Sequence, residues 1–227
     1  MMNQNVVITG AGSGLGASLA RKYSNLGYHV CLLGRTQEKL IQTANRCKNS
    51  YSIYEVDVSS MNEVTKVFRL IKEEVGQIDL LINNAGVGVF DLTENLSLES
   101  IDRMIDINLK GTIFCTQAVL EDMKQKDQGA IVNIVSLSGK RGKALESVYS
   151  ASKFGVRGFT ESLMDELKES NIKLFAAYMG NMKTELWGDG EGEETYIHPD
   201  DVADIIIDMM KPRKYAAVDE VMIRNNR

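Results

Sequence analysis

The segment Asn5-Val6-Val7-Ile8-Thr9-Gly10-Ala11-Gly12-Ser13-Gly14-Leu15-Gly16 decides the fold. Its first five residues form a short apolar run with the composition of a strand. Glycines then stand at positions 10, 12, 14 and 16. Leu15, Leu19, Ala20, Tyr23 and Leu26 recur at helical spacing as far as Gly27. Strand, glycine turn and helix in this order make an element suited to phosphate. Glycine lets the main chain approach a pyrophosphate, and the helix N-terminus offers free N–H groups and the positive end of its dipole. Gly10, Gly12, Ser13, Gly14, Leu15 and Gly16 are therefore the expected nucleotide contacts. The same glycines could serve only tight strand–helix packing; the strand before them and the helix after them favour nucleotide binding.

The alternation continues along the chain. Strands are expected at His29–Leu33, Tyr51–Val56, Ile78–Ile82, Ala130–Val135, Ile172–Met179 and Ala217–Ile223. Helical patterns fill Thr36–Cys47, Ser60–Val75, Ser100–Lys126, Tyr149–Glu169 and a segment opened by Pro199, whose Asp200 and Asp201 complement the helix dipole. About seven strands alternating with helices predict one α/β domain over residues 1–227, a doubly wound parallel sheet with right-handed crossovers, that is, a Rossmann fold. The chain of 227 residues is long enough to bury such a core. No linker, repeat or low-complexity tract divides it.

Composition narrows the function. A net charge of −5, spread along the chain, offers no nucleic-acid surface. Cys31, Cys47 and Cys115 are odd in number and lack metal-ligand spacing, so no metal site is expected, and core thiols in a reducing cytoplasm fit better than a disulfide framework. The first strand begins within about five residues, which leaves no room for a leader. No apolar run approaches a membrane span. His29 and His198 read as structural, the latter at the cap of the helix that follows.

Candidate site residues lie where strands end. The second strand closes in Gly34-Arg35-Thr36. An acid at this place would hold a ribose 2′-hydroxyl. Arg35 instead presents a guanidinium fork that matches a 2′-phosphate, which favours NADP(H) over NAD(H). Asp57-Val58 close the third strand; a carboxylate there suits an adenine amino group or the start of the next helix, and the two uses are compatible. Asn83-Asn84-Ala85-Gly86 close the fourth, with an amide able to tie strands together and a small pair leaving space for a flat ligand. Asn108 and Gly111 fall inside a helical pattern that both disfavour, and so mark a local break. The fifth strand ends in hydroxyls at Ser136 and Ser138. Tyr149 and Lys153 follow four apart, on one helix face. A free phenol titrates at about 10, and a neighbouring cation favours its phenolate, so the pair suits proton transfer to or from an oxygen. From Asn181 to His198 the apolar periodicity fades around Gly188-Asp189-Gly190-Glu191-Gly192-Glu193-Glu194, and a lid over the substrate site is expected around 182–198.

Taken together, the Thr9–Gly16 run, Asp57, Asn83-Asn84-Ala85-Gly86, Asn108, Ser136, Tyr149, Lys153 and Thr184 resemble the compact single-domain branch of the short-chain dehydrogenase/reductase family. They stand in family order and span nearly the whole chain. The resemblance implies that Tyr149 is the general acid in reduction and the base in oxidation. It implies that Lys153 lowers the Tyr149 pKa and holds the nicotinamide ribose, that Ser136 orients the carbonyl, and that Asn108 holds a water in a proton relay. It further implies that Asn84, Ala85 and Gly86 line the cofactor, and that Thr184, helped by the main chain of Met182, contacts the carboxamide. The spacing to Tyr149 and the following Gly139 favour Ser136 over Ser138. One departure is Met179-Gly180 where the family usually has Pro-Gly.

The expected function is NADPH-dependent reduction of a small-molecule carbonyl compound, reversibly an alcohol oxidation, in a homodimer or homotetramer formed through the long helices. A non-catalytic NADP-binding regulator and an isomerase or epimerase on the same fold are the alternatives. Two ideas about the substrate stay open. Lys140, Arg141 and Lys143 could draw in Glu185, Asp189, Glu191, Glu193 and Glu194 of the lid over a neutral carbonyl, or they could greet an anionic substrate.

Overall fold

The structure, a computed structural model, describes residues 4–184, 195–211 and 216–226. Its elements run β1 (Asn5–Thr9), α1 (Gly14–Asn25), β2 (His29–Gly34), α2 (Gln37–Ala44), β3 (Tyr51–Glu55), α3 (Met61–Glu74), β4 (Leu80–Asn83), α4 (Leu98–Ile105), α5 (Gly111–Lys126), β5 (Gly129–Ile134), α6 (Ser147–Glu166), β6 (Ile172–Met179), α7 (Pro199–Met210) and β7 (Glu220–Ile223). The strands form one parallel sheet in the order β3-β2-β1-β4-β5-β6-β7. The doubly wound α/β sheet read from the sequence is the fold observed. Strand order reverses between β1 and β4, and a crevice opens at their carboxyl ends, where open α/β sheets bind ligands.

Both faces of the sheet are covered, which explains why its strands are apolar throughout rather than alternating. Val6, Ile8, Val30 and Leu32 pack with Leu15 and Leu19 of α1 and Val202 and Ile206 of α7. Val7, Cys31 and Leu33 point the other way, onto Val64 and Phe68 of α3, Cys115 and Val119 of α5 and Leu163 of α6. Cys31, Cys47 and Cys115 are free thiols, and burial pushes Cys31 and Cys115 up to about 12. Both histidines are structural, as expected. His29 Nε2 meets Ser52 Oγ at 3.0 Å, and His198 Nδ1 accepts the Asp200 N–H at the start of α7.

Several boundaries move. β7 starts at Glu220 rather than Ala217 because its pairing with β6 begins at Ala176. The helical stretch expected from Ser100 to Lys126 is α4 and α5 separated by one π-helical turn, Asp106–Lys110. The break marked by Asn108 and Gly111 is therefore real. Gly111 is needed there: a Cβ on it would lie 2.8 Å from Val58 Cγ2.

A polar ladder crosses the core. Asn83 and Asn133 are register partners in β4 and β5. Asn83 Nδ2 donates to Asn133 Oδ1 (2.9 Å) and to Thr116 Oγ1 of α5 (3.0 Å), and Asn133 Nδ2 donates to Thr160 Oγ1 of α6 (2.9 Å). The ladder ties two strands to the helices that cover them. Asn133→Leu would strand an amide and a hydroxyl in the core. The expected loss of unfolding free energy is about 2–4 kcal/mol in urea titration, and a loss under about 0.5 kcal/mol would show the ladder to be dispensable.

Candidate active site

The crevice between β1 and β4 is a cleft of about 510 Å³. One joint sets its floor. Thr9 Oγ1 accepts the N–H groups of Asn84 and Ala85, both at 3.0 Å, and Asn84 Nδ2 donates to the carbonyls of Thr9 (2.9 Å) and Gly10 (3.2 Å). The Asn84 side chain thus holds the glycine turn to β4, while Ala85 and Gly86 continue along the cleft wall. Gly10 (φ +65°) and Gly14 (φ +50°) carry left-handed backbone that strains other residues. Gly10, Gly12, Ser13, Gly14 and Leu15 line the cleft. Gly16 sits beneath it, where a Cβ would collide with the Gly10 carbonyl; it lets α1 approach β1. Ser13 makes no side-chain cap and the first turn of α1 holds no acid, so its N–H groups and dipole remain available to an anion.

The neighbouring strand ends complete this half. Gly34, Arg35, Thr36 and Lys39 line it beside Gly12, with Arg35 exposed. Asp57 and Val58 line the next stretch. Asp57 Oδ1 accepts the N–H and hydroxyl of Ser59, and Glu63 takes the Asp57 N–H, so the carboxylate shapes the entry to α3 as well as facing the cleft.

At the other end stand Ser136, Tyr149 and Lys153. The first turns of α6 carry the latter two, and Ser136 follows β5. Gly139 brings them together: a Cβ on it would lie 2.8 Å from the Lys153 carbonyl, so only glycine lets the turn after Ser136 press on α6. Lys153 Nζ donates to the Ile134 carbonyl (3.1 Å) and lies 5.8 Å from the Tyr149 ring centroid. Phe90 packs edge-on against that ring at 5.4 Å.

Burial controls both titrating groups. It pushes Tyr149 up to about 12; the hydrogen bond with Ser136 pulls the value down and the Glu146 charge raises it further. It pushes Lys153 down to about 8. In the protein chain alone burial dominates, and the net shift of Tyr149 is upward.

Asn108 is fully buried in the π-helical turn. Its Oδ1 accepts the Val87 N–H (2.8 Å), and its Nδ2 donates to the Val87 carbonyl (2.9 Å) and to Ser152 Oγ of α6 (3.0 Å). Its side chain therefore fixes the segment after Gly86 and the face of α6 at Ser152, and its main-chain carbonyl takes the Thr112 hydroxyl. Met182 bridges to Ile197, and the Thr184 side chain lies against Gly14, so both reach the cleft. Met179 stays in β6, paired with Ile223. Of the expected lid, residues 185–194 lie outside the described residues. In the basic loop, Lys140 pairs with Glu220 (2.6 Å) and Lys143 approaches Glu146 (3.7 Å), which leaves Arg141 exposed.

Sequence reasoning did not assign roles to Thr9, Phe90, Glu146 or Ser152. Thr9 stood inside the quoted glycine motif and Ser152 lies between Tyr149 and Lys153, but both act through partners distant in the chain. Glu146 offered one usable signal, a carboxylate one helical turn before Tyr149.

Comparisons with known proteins agree with this geometry. The short chain dehydrogenase family matches residues 4–194. An uncharacterised oxidoreductase of Staphylococcus saprophyticus is 35% identical, covering 99% of this chain and 98% of that one. An alcohol dehydrogenase from the archaeon Thermococcus sibiricus, solved with 5-hydroxy-NADP, superposes with a TM-score of 0.92 at 27% identity over 98% of this chain and 96% of that one. A metagenomic short-chain oxidoreductase in complex with NADP gives 0.87 at 28% identity, covering 99% and 97%. The glycine turn under a parallel sheet, the Ser136–Tyr149–Lys153 cluster at its crevice and these matches over almost the full length place the chain in the short-chain dehydrogenase family of oxidoreductases.

Proposed function

We propose that this oxidoreductase interconverts a small carbonyl compound and its secondary alcohol with NADP(H), acting as a carbonyl reductase. The observation that carries the reading is the meeting, in one cleft, of a hydroxyl pair, Ser136 and Tyr149, with a buried ammonium, Lys153, opposite an uncapped helix N-terminus. The residues fit a dinucleotide. The first turn of α1 offers N–H groups to a pyrophosphate. Lys153 Nζ donates to the Ile134 carbonyl and has further protons to give to hydroxyls. Arg35 at the end of β2, where no acid stands, suits a 2′-phosphate.

When bound, the cofactor supplies the hydride. The protein manages the proton. Tyr149, held neutral by burial, gives its proton to the substrate oxygen in reduction. Ser136 offers a second hydrogen bond to that oxygen as charge develops. Lys153 stabilises the resulting phenolate. Asn108 holds the wall at Val87, and its carbonyl keeps a lone pair that suits the proposed water relay. The complete Ser136–Tyr149–Lys153 set favours this reading over a non-catalytic NADP-binding regulator, and hydride consumption separates it from an epimerase. The free thiols Cys31, Cys47 and Cys115 fit a cytoplasmic site of action. Among the described residues no helix is long and apolar enough to cross a membrane. A homodimer or homotetramer through α5 and α6 goes with the reading, since Phe154 of α6 is exposed; sedimentation velocity giving a monomer would remove it.

Tyr149→Phe should lower kcat for ketone reduction by about 10³-fold while NADPH affinity stays within about threefold. With NADPH below saturation, wild-type kcat/KM should fall as pH rises past about 8, because Lys153 loses its proton there while Tyr149 keeps its own. Residual turnover near wild type in Tyr149→Phe would remove the phenol from the mechanism. Arg35→Asp should reduce the NADPH-to-NADH ratio of kcat/KM by at least about tenfold, the worth of a charge-assisted hydrogen bond; an unchanged ratio would make Arg35 a surface charge only.

A further inference from the structure

Glu146 is a carboxylate in an unusual place. It stands at the N-cap position of α6, yet its side chain makes no cap. It is 9% exposed and lines the cleft with Ser136, Ser138 and Tyr149. Its Oε2 accepts the Ser138 hydroxyl, and its Oε1 has Lys143 Nζ at 3.7 Å. That lysine is about half exposed (46%), so the contact is long and screened by solvent. The backbone is shaped for this arrangement. Leu145 adopts φ +65°, a conformation unfavourable for leucine, and its carbonyl is held by the Asp91 N–H. Thr93 Oγ1 donates to Ser147 Oγ on the other side. The chain around Glu146 is thus pinned to the segment carrying Phe90, which packs on Tyr149.

A carboxylate so far removed from water needs partners, and two contacts leave lone pairs unused. Of the cations in the loop before α6 and on α6, Lys140 pairs with Glu220, Arg157 with Glu161, and Lys153 Nζ donates to the Ile134 carbonyl. An anionic substrate placed beside Tyr149 would meet this charge and be repelled, whereas a cationic one would complete its pairing.

We propose that Glu146 determines specificity by receiving a protonated amino substituent next to the reacting carbon, so that the favoured substrates are amino ketones and the corresponding amino alcohols. The proposal rests on the oxidoreductase reading above and names the substrate class of that same site. Ser138 holds the carboxylate in place, and Ser136 and Tyr149 take the oxygen.

The test uses two alcohols of matched shape, 1-amino-2-propanol and 2-butanol, with NADP⁺ at a pH where the amine is protonated. The wild-type ratio of kcat/KM should favour the amino alcohol by at least about tenfold, and Glu146→Gln should lower that ratio by at least about tenfold. Taking a ratio cancels any effect of the substitution on Tyr149 or on folding. Lys143→Ala, at an exposed position, should raise the ratio by about two- to threefold by removing the competing cation. A wild-type ratio near one, or a ratio unaltered by Glu146→Gln, overturns the inference. So does failure to oxidise the amino alcohol by an enzyme that reduces neutral ketones, and that result leaves the reductase reading standing. Absence of hydride transfer with either alcohol and with ketones, diketones and aldehydes overturns both.

Discussion

The Thr9 hydroxyl joins the ends of β1 and β4, and the site is built outward from that joint. It accepts two consecutive N–H groups, of Asn84 and Ala85, at the point where strand order reverses. A parallel sheet leaves these groups without strand partners once the chains diverge. A single hydroxyl satisfies both, and the Asn84 amide returns the favour to the carbonyls of Thr9 and Gly10. The glycine turn is thereby set at a defined height above the sheet. Gly16 then allows α1 to come down onto the Gly10 carbonyl, which aims the helix N-terminus along the cleft. Loosening the joint would misplace the α1 N-terminus and the wall at Gly86 together.

The catalytic end works under a different constraint, the cost of charge away from water. Tyr149 and Lys153 are displaced in opposite directions by the same cause: burial favours the neutral phenol and the neutral amine. At neutral pH the phenol therefore keeps its proton. In the proposed reduction such a high-pKa donor would release its proton only as the phenolate is stabilised, the role proposed for Ser136 and Lys153. The packing that imposes this state comes from uncharged groups: the Phe90 ring on Tyr149, and Gly139 against α6.

The sheet order was legible because each strand announces itself by apolar runs punctuated by glycine and asparagine, and parallel topology follows from alternation alone. Much of the cleft lining was legible too, since Arg35, Asp57, Ala85 and Ser136 stand at strand ends, and strand ends converge in this fold. Purposes were harder to read. Gly111 and Asn108 together marked a break, but the glycine answers to Val58 and the asparagine to Val87 and Ser152, partners that spacing does not reveal. Gly16, expected as a nucleotide contact, is fixed in the structure by the Gly10 carbonyl beneath the turn, a packing role the motif alone does not show. The weight of burial at Tyr149 was hidden for a similar reason. The i, i+4 spacing displays the cation, whereas desolvation depends on loops from elsewhere in the chain.

Charge along the cleft gives it a direction. At one end stand the uncapped start of α1, Arg35 and Lys39; at the other stands Glu146, beside Tyr149. A phosphate-bearing molecule entering such a field is attracted at the first end and repelled at the second. For the proposed NADP(H) this field would set the phosphates over the glycine turn and the uncharged part toward Ser136 and Tyr149. The reversed arrangement would place anions against a buried carboxylate while leaving the helix terminus without a partner. Polarity thus selects one orientation before any specific contact forms. On the proposed reading the substrate end would tolerate little negative charge, a constraint that the lysines of the nearby loop, near Glu220 and Glu146, do little to relieve.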